Sequence, residues 1–120
     1  MKFSSIMIGS GNVKAMKDFY VKLLGEPKMN DDANQGYGWD YNGTWFTLMN
    51  HSEVSGESTQ PARVLINFES EDVKGDFEKA KAAGAKVIKE PYTMEGMDGF
   101  MSTLADPDGN YIQINTPWQM

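Results

Sequence analysis

The chain contains no cysteine and one histidine, His51. The first absence excludes disulfides, thiolate metal sites and a cysteine nucleophile. The second leaves a single imidazole, and a Ser-His-Asp relay built on it would need a nucleophile such as Ser5 and a buried carboxylate beside it. The sequence places neither there, so His51 reads as a solvated residue at the start of a polar stretch. No apolar run is long enough to cross a bilayer, and the apolar N-terminus from Met1 to Gly9 is short and alternates like a strand. It is not a secretory segment, and a cytoplasmic address is expected. Positive charge is scarce as well: 11 Lys and Arg stand against 17 Asp and Glu, for a net charge of -6 and a pI near 4.6. Such a surface repels phosphate backbones, so nucleic acid and anionic membrane are not expected partners, whereas a neutral or cationic small molecule is compatible. Solubility alone also accounts for the acidity.

What is present is a pattern that occurs twice within 120 residues, a length suited to a single domain over residues 1–120. Ser4, Ile6 and Ile8 alternate with Phe3, Ser5, Met7 and Gly9 as a first strand. Asn12 then caps a helix with Val13, Met16, Tyr20 and Leu23 at helical spacing, and Gly25 suits the position just past its end. Three short strands follow at 28–30, 36–41 and 44–50, the last two joined by the turn pair Asn42-Gly43. Residues 51–61 lack any period and read as a linker. The second unit, 62–120, starts with a strand at Val64 to Glu69. A helix capped by Asp72 carries Val73, Phe77 and Ala80 and ends at Gly84; strands at 86–89, 100–104 and 111–115 come after it.

The caps Asn12 and Asp72, and the glycines Gly25 and Gly84, repeat at roughly sixty residues. Gly43-Thr44-Trp45-Phe46-Thr47-Leu48 also aligns with Gly109-Asn110-Tyr111-Ile112-Gln113-Ile114. The expected fold is therefore α+β, two tandem βαβββ units (1–50 and 62–120) whose curved mixed sheets carry helices outside and enclose a concave cavity.

The residues Asn12, Phe19-Tyr20 and Leu24-Gly25, then Phe68 to Val73, Lys81 to Val87 and Glu90-Pro91, and above all the turn Asp106-Pro107-Asp108-Gly109-Asn110, resemble the vicinal oxygen chelate superfamily of glyoxalases, bleomycin-resistance proteins and extradiol dioxygenases. The likeness covers nearly the whole chain. It implies a homodimer, in which sites are often built from strands of both chains. It leaves the chemistry open, since that superfamily spans lactoylglutathione lyases, dioxygenases, epimerases, fosfomycin-modifying enzymes and proteins that confer antibiotic resistance by sequestering drugs. In its metal-dependent members a His or Gln early in each unit's first strand and a Glu on each unit's last strand hold the cation. The corresponding positions are Ser5, Leu65, Thr47 and Gln113. A divalent cation needs deprotonated or strongly donating ligands, so no metal and no other cofactor is expected, and Gln113 reads as a hydrogen-bonding group.

If Ile6, Ile8, Phe46, Leu48, Ile66, Phe68, Ile112 and Ile114 meet the helices, alternation turns the residues between them toward the cavity. The ligand-binding set expected on this basis is Ser5, Met7, Trp45, Thr47 and Met49 with Leu65, Asn67, Glu69, Tyr111 and Gln113; Asn115 shares their face. Hairpin alignment adds Tyr37, Trp39, Met101 and Thr103. Aromatic rings and thioethers with a few neutral polar groups suit a small organic molecule, and Glu69 beside a Trp face suits a cation. Ordinary packing is the competing reading for each ring and thioether. Met94, Met97 and Met101 lie around an irregular loop that either adapts over a ligand or is simply surface. The leading expectation is metal-independent small-molecule binding. The rival is a lyase, isomerase or dioxygenase with an unusual site, using Glu69, Glu90 and Tyr37 for acid-base work; a third reading is a module whose concavity a partner's side chain fills.

Overall fold

The computed structural model describes residues 1–93, 95–96 and 98–117. The chain divides into two compact units, Met1–Gly56 and Glu57–Met120, and the boundary falls inside the stretch read as a linker.

In unit one the order is β1 (Ser5–Ser10), α1 (Val13–Leu24), β2 (Met29–Asp31), β3 (Gly36–Tyr41) and β4 (Thr44–Asn50). In unit two it is β5 (Ile66–Glu69), α2 (Val73–Ala82), β6 (Lys86–Tyr92), β7 (Met101–Ala105) and β8 (Tyr111–Asn115), preceded by a 3-10 turn at Pro61–Arg63 that the sequence pattern did not reveal. The sheets have spatial orders β1-β4-β3-β2 and β5-β8-β7-β6. In each, the first strand runs parallel to the last and the other pairs are antiparallel. The fold is α+β, built from two βαβββ units of one topology.

Each unit buries one stripe of its helix against one face of its own sheet. On α1 the buried residues are Val13, Met16, Phe19, Tyr20 and Leu23, which recur at three to four positions and so fall on one side of a 3.6-residue helix. Tyr20 meets Phe46 at 4.9 Å and Trp39 at 6.3 Å between ring centroids, and Trp39 lies 5.8 Å from Phe46. Tilted ring pairs of this kind add about 0.5–1.5 kcal/mol each beyond the area they bury. The Trp39 indole donates from Nε1 to the Gly25 carbonyl at 2.9 Å, so its one polar atom is satisfied where the helix ends. Unit two packs smaller groups: Val73, Phe77 and Ala80 of α2, with Leu104, Ile112 and Ile114 among the buried sheet residues.

The two helix starts differ. Asp72 accepts the backbone N–H of Gly75 at 3.0 Å, a side-chain cap in the ordinary sense. Asn12 makes no such bond, although in both units the serine two positions upstream, Ser10 or Ser70, accepts the N–H of the residue before the helix at 2.9 or 3.0 Å. The ends agree better with expectation: Gly25 has φ +89 and Gly84 φ +109, conformations that cost a side chain bearing Cβ.

The Asn42-Gly43 turn has positive φ at both residues, 55 and 93, as a two-residue hairpin with Tyr41 opposite Thr44 requires. In unit two, strand β6 continues through Glu90 and Pro91 to Tyr92, past the end expected at Lys89. Pro91 is tolerated because β6 is an edge strand, where a missing N–H breaks no central ladder. Met94 and Met97, central to the loop singled out in the sequence, lie outside the described residues.

Candidate functional site

Strand pairing decides which side chains stand on the face of each sheet that its helix leaves open. In unit one, Ser5, Met7 and Gly9 of β1 lie beside Trp45, Thr47 and Met49 of β4. These alternate with Phe46 and Leu48, which are buried with α1, so they point the other way. Strand β3 adds Gly36 opposite Met49, Gly38 opposite Thr47 and Asp40 opposite Trp45. The glycine matters at position 38: a Cβ there would stand 3.0 Å from the Trp45 ring and 3.3 Å from Thr47 Cγ2. Its absence lets the indole lie over the sheet. Met7 is 59% exposed, while Trp45 and Met49 are half-buried. Lys28 Nζ sits 5.7 Å from the Trp45 ring centroid and 3.2 Å from Asp40, whose carboxyl is held below its ordinary range by the Gly43 N–H and by Lys28.

Tyr37 and Trp39 are not on this face. Direct cross-strand partners share a face, and they pair with Leu48 and Phe46, so both rings are buried on the helix side at 4% exposure. The Tyr37 hydroxyl donates to Asp32 at 2.6 Å, and Lys17 of α1 lies over its ring and ion-pairs with the same Asp32 at 3.2 Å. That hydrogen bond to a carboxylate, with burial, pushes the phenol up to about 12. Tyr37 is therefore a clamp between β3, the β2–β3 loop and α1, and it is tied up as an acid-base group. Glu90 is exposed on the edge strand, which removes the burial that acid-base work would need.

In unit two, Asn67 lies beside Gln113 and Glu69 beside Asn115, and Thr103 of β7 pairs with Gln113. Gln113 Nε2 donates to Thr103 Oγ1 at 3.2 Å. Asn115 Nδ2 donates to Asn67 Oδ1 at 2.8 Å, and Asn67 Nδ2 to the Leu65 carbonyl at 3.3 Å. Leu65, Asn67 and Glu69 are exposed, Met101, Tyr111 and Gln113 half-buried, and Thr103 buried. Leu65 precedes β5, which begins at Ile66, two residues later than expected. Met101 accepts a long contact from the Tyr92 hydroxyl at 3.9 Å. This open face is a hydrogen-bonded amide surface with a phenol at the start of β8.

The turn that carries most of the sequence resemblance is a structural device. Asp106, 4% exposed, accepts the N–H groups of Asp108 and Asn110 at 3.0 Å on Oδ1 and the Asn110 amide on both oxygens. Gly109 takes φ +80 and donates to the Asp106 carbonyl. The carboxylate adds to the backbone bonds that close the bend, among them Asp106 N–H to the Asn110 carbonyl at 2.9 Å, and the turn delivers Tyr111 and Gln113 in register.

The four positions that hold metal in related proteins do not fit a divalent cation here. Thr47 Oγ1 donates to the Ile6 carbonyl at 3.0 Å, Leu65 has no donor, Ser5 offers a neutral hydroxyl, and Gln113, whose Nε2 is engaged with Thr103, adds a single amide oxygen where a site needs about three strong ligands. Among the described residues no three His, Cys, Asp or Glu side chains are grouped so as to hold a metal ion. His51 is exposed on the segment after β4, with Nδ1 accepting the Glu53 N–H at 3.2 Å.

Sequence reasoning missed Arg63. It is the only arginine in the chain, and it lies with Gln60, Pro61, Ala62 and Tyr111 around a cleft of about 370 Å³ in unit two. The polar composition of residues 51–60 concealed it, although Pro61, which suits the first position of a helical turn, was a usable signal. A second cleft, of about 360 Å³, lies among Leu24, Glu26, Lys28, Trp39, Asp40 and Tyr41 of unit one.

Comparison with solved structures finds the same fold. A glyoxalase/bleomycin resistance protein/dioxygenase family enzyme from Burkholderia phytofirmans PsJN shares 26% identity at a TM-score of 0.76, over 97% of this chain and 98% of that one. A glyoxalase/bleomycin resistance protein from Albidiferax ferrireducens T118 shares 22% at 0.76, over 96% and 98%. A glyoxalase-related enzyme from Fulvimarina pelagi shares 20% at 0.77, over 98% and 88%. No curated protein matches the chain. The family model for the Glyoxalase/Bleomycin resistance protein/Dioxygenase superfamily matches residues 2–114, and the chain belongs to that superfamily.

Proposed function

We propose that the chain is a metal-independent small-molecule-binding protein of the glyoxalase/bleomycin-resistance type, acting as a cytoplasmic homodimer and sequestering an aromatic or cationic organic ligand. The observation that carries this reading is the open face of unit one. Met7, Trp45 and Met49 stand there beside a glycine-paved strip, offering a half-buried indole for stacking and two adaptable thioethers. Ser5 and Thr47 would contribute hydroxyls at this face. In unit two Leu65, Asn67, Glu69, Met101, Thr103, Tyr111 and Gln113 would supply an orienting polar surface, with Glu69 as the anion for a cationic ligand. The donor chemistry at Ser5, Thr47, Leu65 and Gln113 supports metal independence. No described helix is long and apolar enough to cross a membrane.

A second reading is kept because the relative from Burkholderia is described as an enzyme and one from Nostoc punctiforme as a glyoxalase/dioxygenase. On that reading the chain is a lyase, isomerase or dioxygenase with an unusual donor set, for which Glu69, beside Asn115 in unit two, is the remaining carboxylate.

Tryptophan fluorescence tests the binding reading, since Trp39 is buried and Trp45 is half-buried. Titration with a panel of aromatic cations, acyl-thiols and aromatic metabolites is expected to give a saturable change for at least one compound. That change should be absent in Trp45→Phe. A saturable change that survives in Trp45→Phe places the ligand away from the open face of unit one and contradicts the proposal.

A further inference from the structure

Arg63 is the only arginine in a chain of net charge -6. Among the described residues it forms no ion pair, although the same chain pairs Lys14, Lys17, Lys28 and Lys79 with carboxylates. Its guanidinium donates from Nη2 to the Gln60 side-chain oxygen, and its backbone N–H donates to the Gln60 carbonyl at 3.1 Å. The proline at the first position of the turn fixes φ, and the amide fixes one edge of the planar fork. The remaining donors of the guanidinium, which carries five N–H groups, stay available. Across the cleft stands Tyr111, half-buried at the start of β8, where its pairing with Ala105 holds the backbone.

We propose that this cleft is a binding site for a small, flat organic carboxylate, held by Arg63 through two parallel N–H···O bonds and by Tyr111 through contact with its ring. The proposal rests on the binding reading only through Tyr111, and it adds a ligand class and a residue that the open face alone does not supply. A cleft of about 370 Å³ falls at the lower end of the roughly 300–1,000 Å³ found for small-molecule sites, so the ligand is about the size of a single ring with short substituents. The fork geometry matches a carboxylate, and one guanidinium balances one negative charge. The net charge of -6 disfavours a phosphate dianion, whose second charge has no cation among the five residues lining the cleft.

A single arginine gives a single side-chain Nε–H resonance, which makes the test direct. The intact protein is titrated with benzoate, benzyl alcohol and inorganic phosphate while this signal is followed in ¹H–¹⁵N spectra. Benzoate is expected to shift it saturably and to bind about tenfold or more tightly than the alcohol or phosphate, a difference of about 1.4 kcal/mol. Arg63→Gln, read from the backbone signals of Ala62 and Tyr111, is expected to weaken benzoate by at least as much. Tyr111→Leu should narrow the preference for benzoate over acetate. Both variants should keep the wild-type melting temperature, because Arg63 is exposed and Tyr111 lies outside the buried core. A benzoate response that does not saturate, that benzyl alcohol reproduces, or that persists in Arg63→Gln overturns the proposal. Phosphate binding as tightly as benzoate overturns the ligand class. The Trp45 titration reports on unit one, so failure here leaves that reading standing, and failure there leaves this one.

Discussion

The two units share one topology and differ in what they place on it. An offset of sixty residues relates β1 and α1 to β5 and α2, and an offset of 66 relates β4 to β8, as the pairs Met7–Thr47 and Asn67–Gln113 show. At equivalent positions in the cores, Tyr20 becomes Ala80, Trp39 becomes Leu104 and Phe46 becomes Ile112. On the open faces, Met7 becomes Asn67, Trp45 becomes Tyr111, Gly38 becomes Thr103 and Met49 becomes Asn115. Unit one thus packs an aromatic cluster inside and carries Met and Trp on its open face, whereas unit two packs mainly aliphatic groups around Phe77 and carries amides on its open face. The difference teaches that the backbone plan needs only the hydrophobic alternation and the turns. Side-chain chemistry on the open faces is free to diverge, and there a division of labour between stacking and orientation becomes possible.

The strongest way to break this comparison is in the cores. Phe46→Ala should cost about 3–5 kcal/mol and Ile112→Val only about 0.5–1.5, because the first empties an aromatic cluster and the second removes one methyl. Urea denaturation reads both, and equal losses would mean that the aromatic cluster contributes nothing special to unit one. Next in size is the turn in unit two. Asp106→Ala leaves the N–H groups of Asp108 and Asn110 without their acceptor, and a loss of about 1–3 kcal/mol is expected by the same measurement. A neutral result would remove the turn from the account of how Tyr111 and Gln113 are positioned.

Capping separates the units more finely. Asp72→Ala should cost about 1 kcal/mol, whereas Asn12→Ala should cost a few tenths at most, since only Asp72 accepts a backbone N–H. Thermal unfolding of the pair decides it, and a comparable cost at Asn12 would contradict the observed hydrogen bonding.

The smallest effect is a pH dependence confined to unit one. Tyr37 is raised from 10 to about 12, first by its hydrogen bond to Asp32. The folded state therefore keeps this proton after the unfolded chain has lost it, and the contribution is complete below pH 10 and disappears as pH rises toward 12. Asp32 is lowered from 3.8, chiefly by the same bond and then by Lys17, so its contribution is present above that value and is lost as pH falls below it. Tyr37→Phe should flatten the alkaline decline in stability between pH 10 and 12, and Asp32→Asn should flatten both limbs. An unchanged alkaline limb in Tyr37→Phe would mean that the clamp is not formed in solution.

Much of this organisation was legible in the sequence because it depends on periods and turns. Strands β3, β4 and β8 have the limits that alternation and the Asn42-Gly43 and Asp106-to-Asn110 turns imply. The error at Tyr37 and Trp39 was avoidable on the same grounds. A two-residue hairpin after Tyr41 makes each odd position of β3 face an even one of β4, which sends both rings to the side of Phe46 and Leu48. Other features depend on contacts that no local pattern encodes: Asn12 leaving its helix without a side-chain cap, β6 extending through Pro91 on an exposed edge, and Arg63 sharing a cleft with a tyrosine 48 positions later in the chain.

Thermal unfolding of chelator-treated protein against a panel of aromatic cations, acyl-thiols and aromatic metabolites tests most directly whether these open faces take up an organic molecule unaided by a cation. A compound that binds the native state must raise its apparent stability, by about 2.7 kcal/mol at a hundred times its dissociation constant. The account predicts that at least one compound does so equally with and without chelator. Stabilisation that appears only when a divalent cation is restored in stoichiometric amount, together with turnover of methylglyoxal-glutathione hemithioacetal, would contradict it.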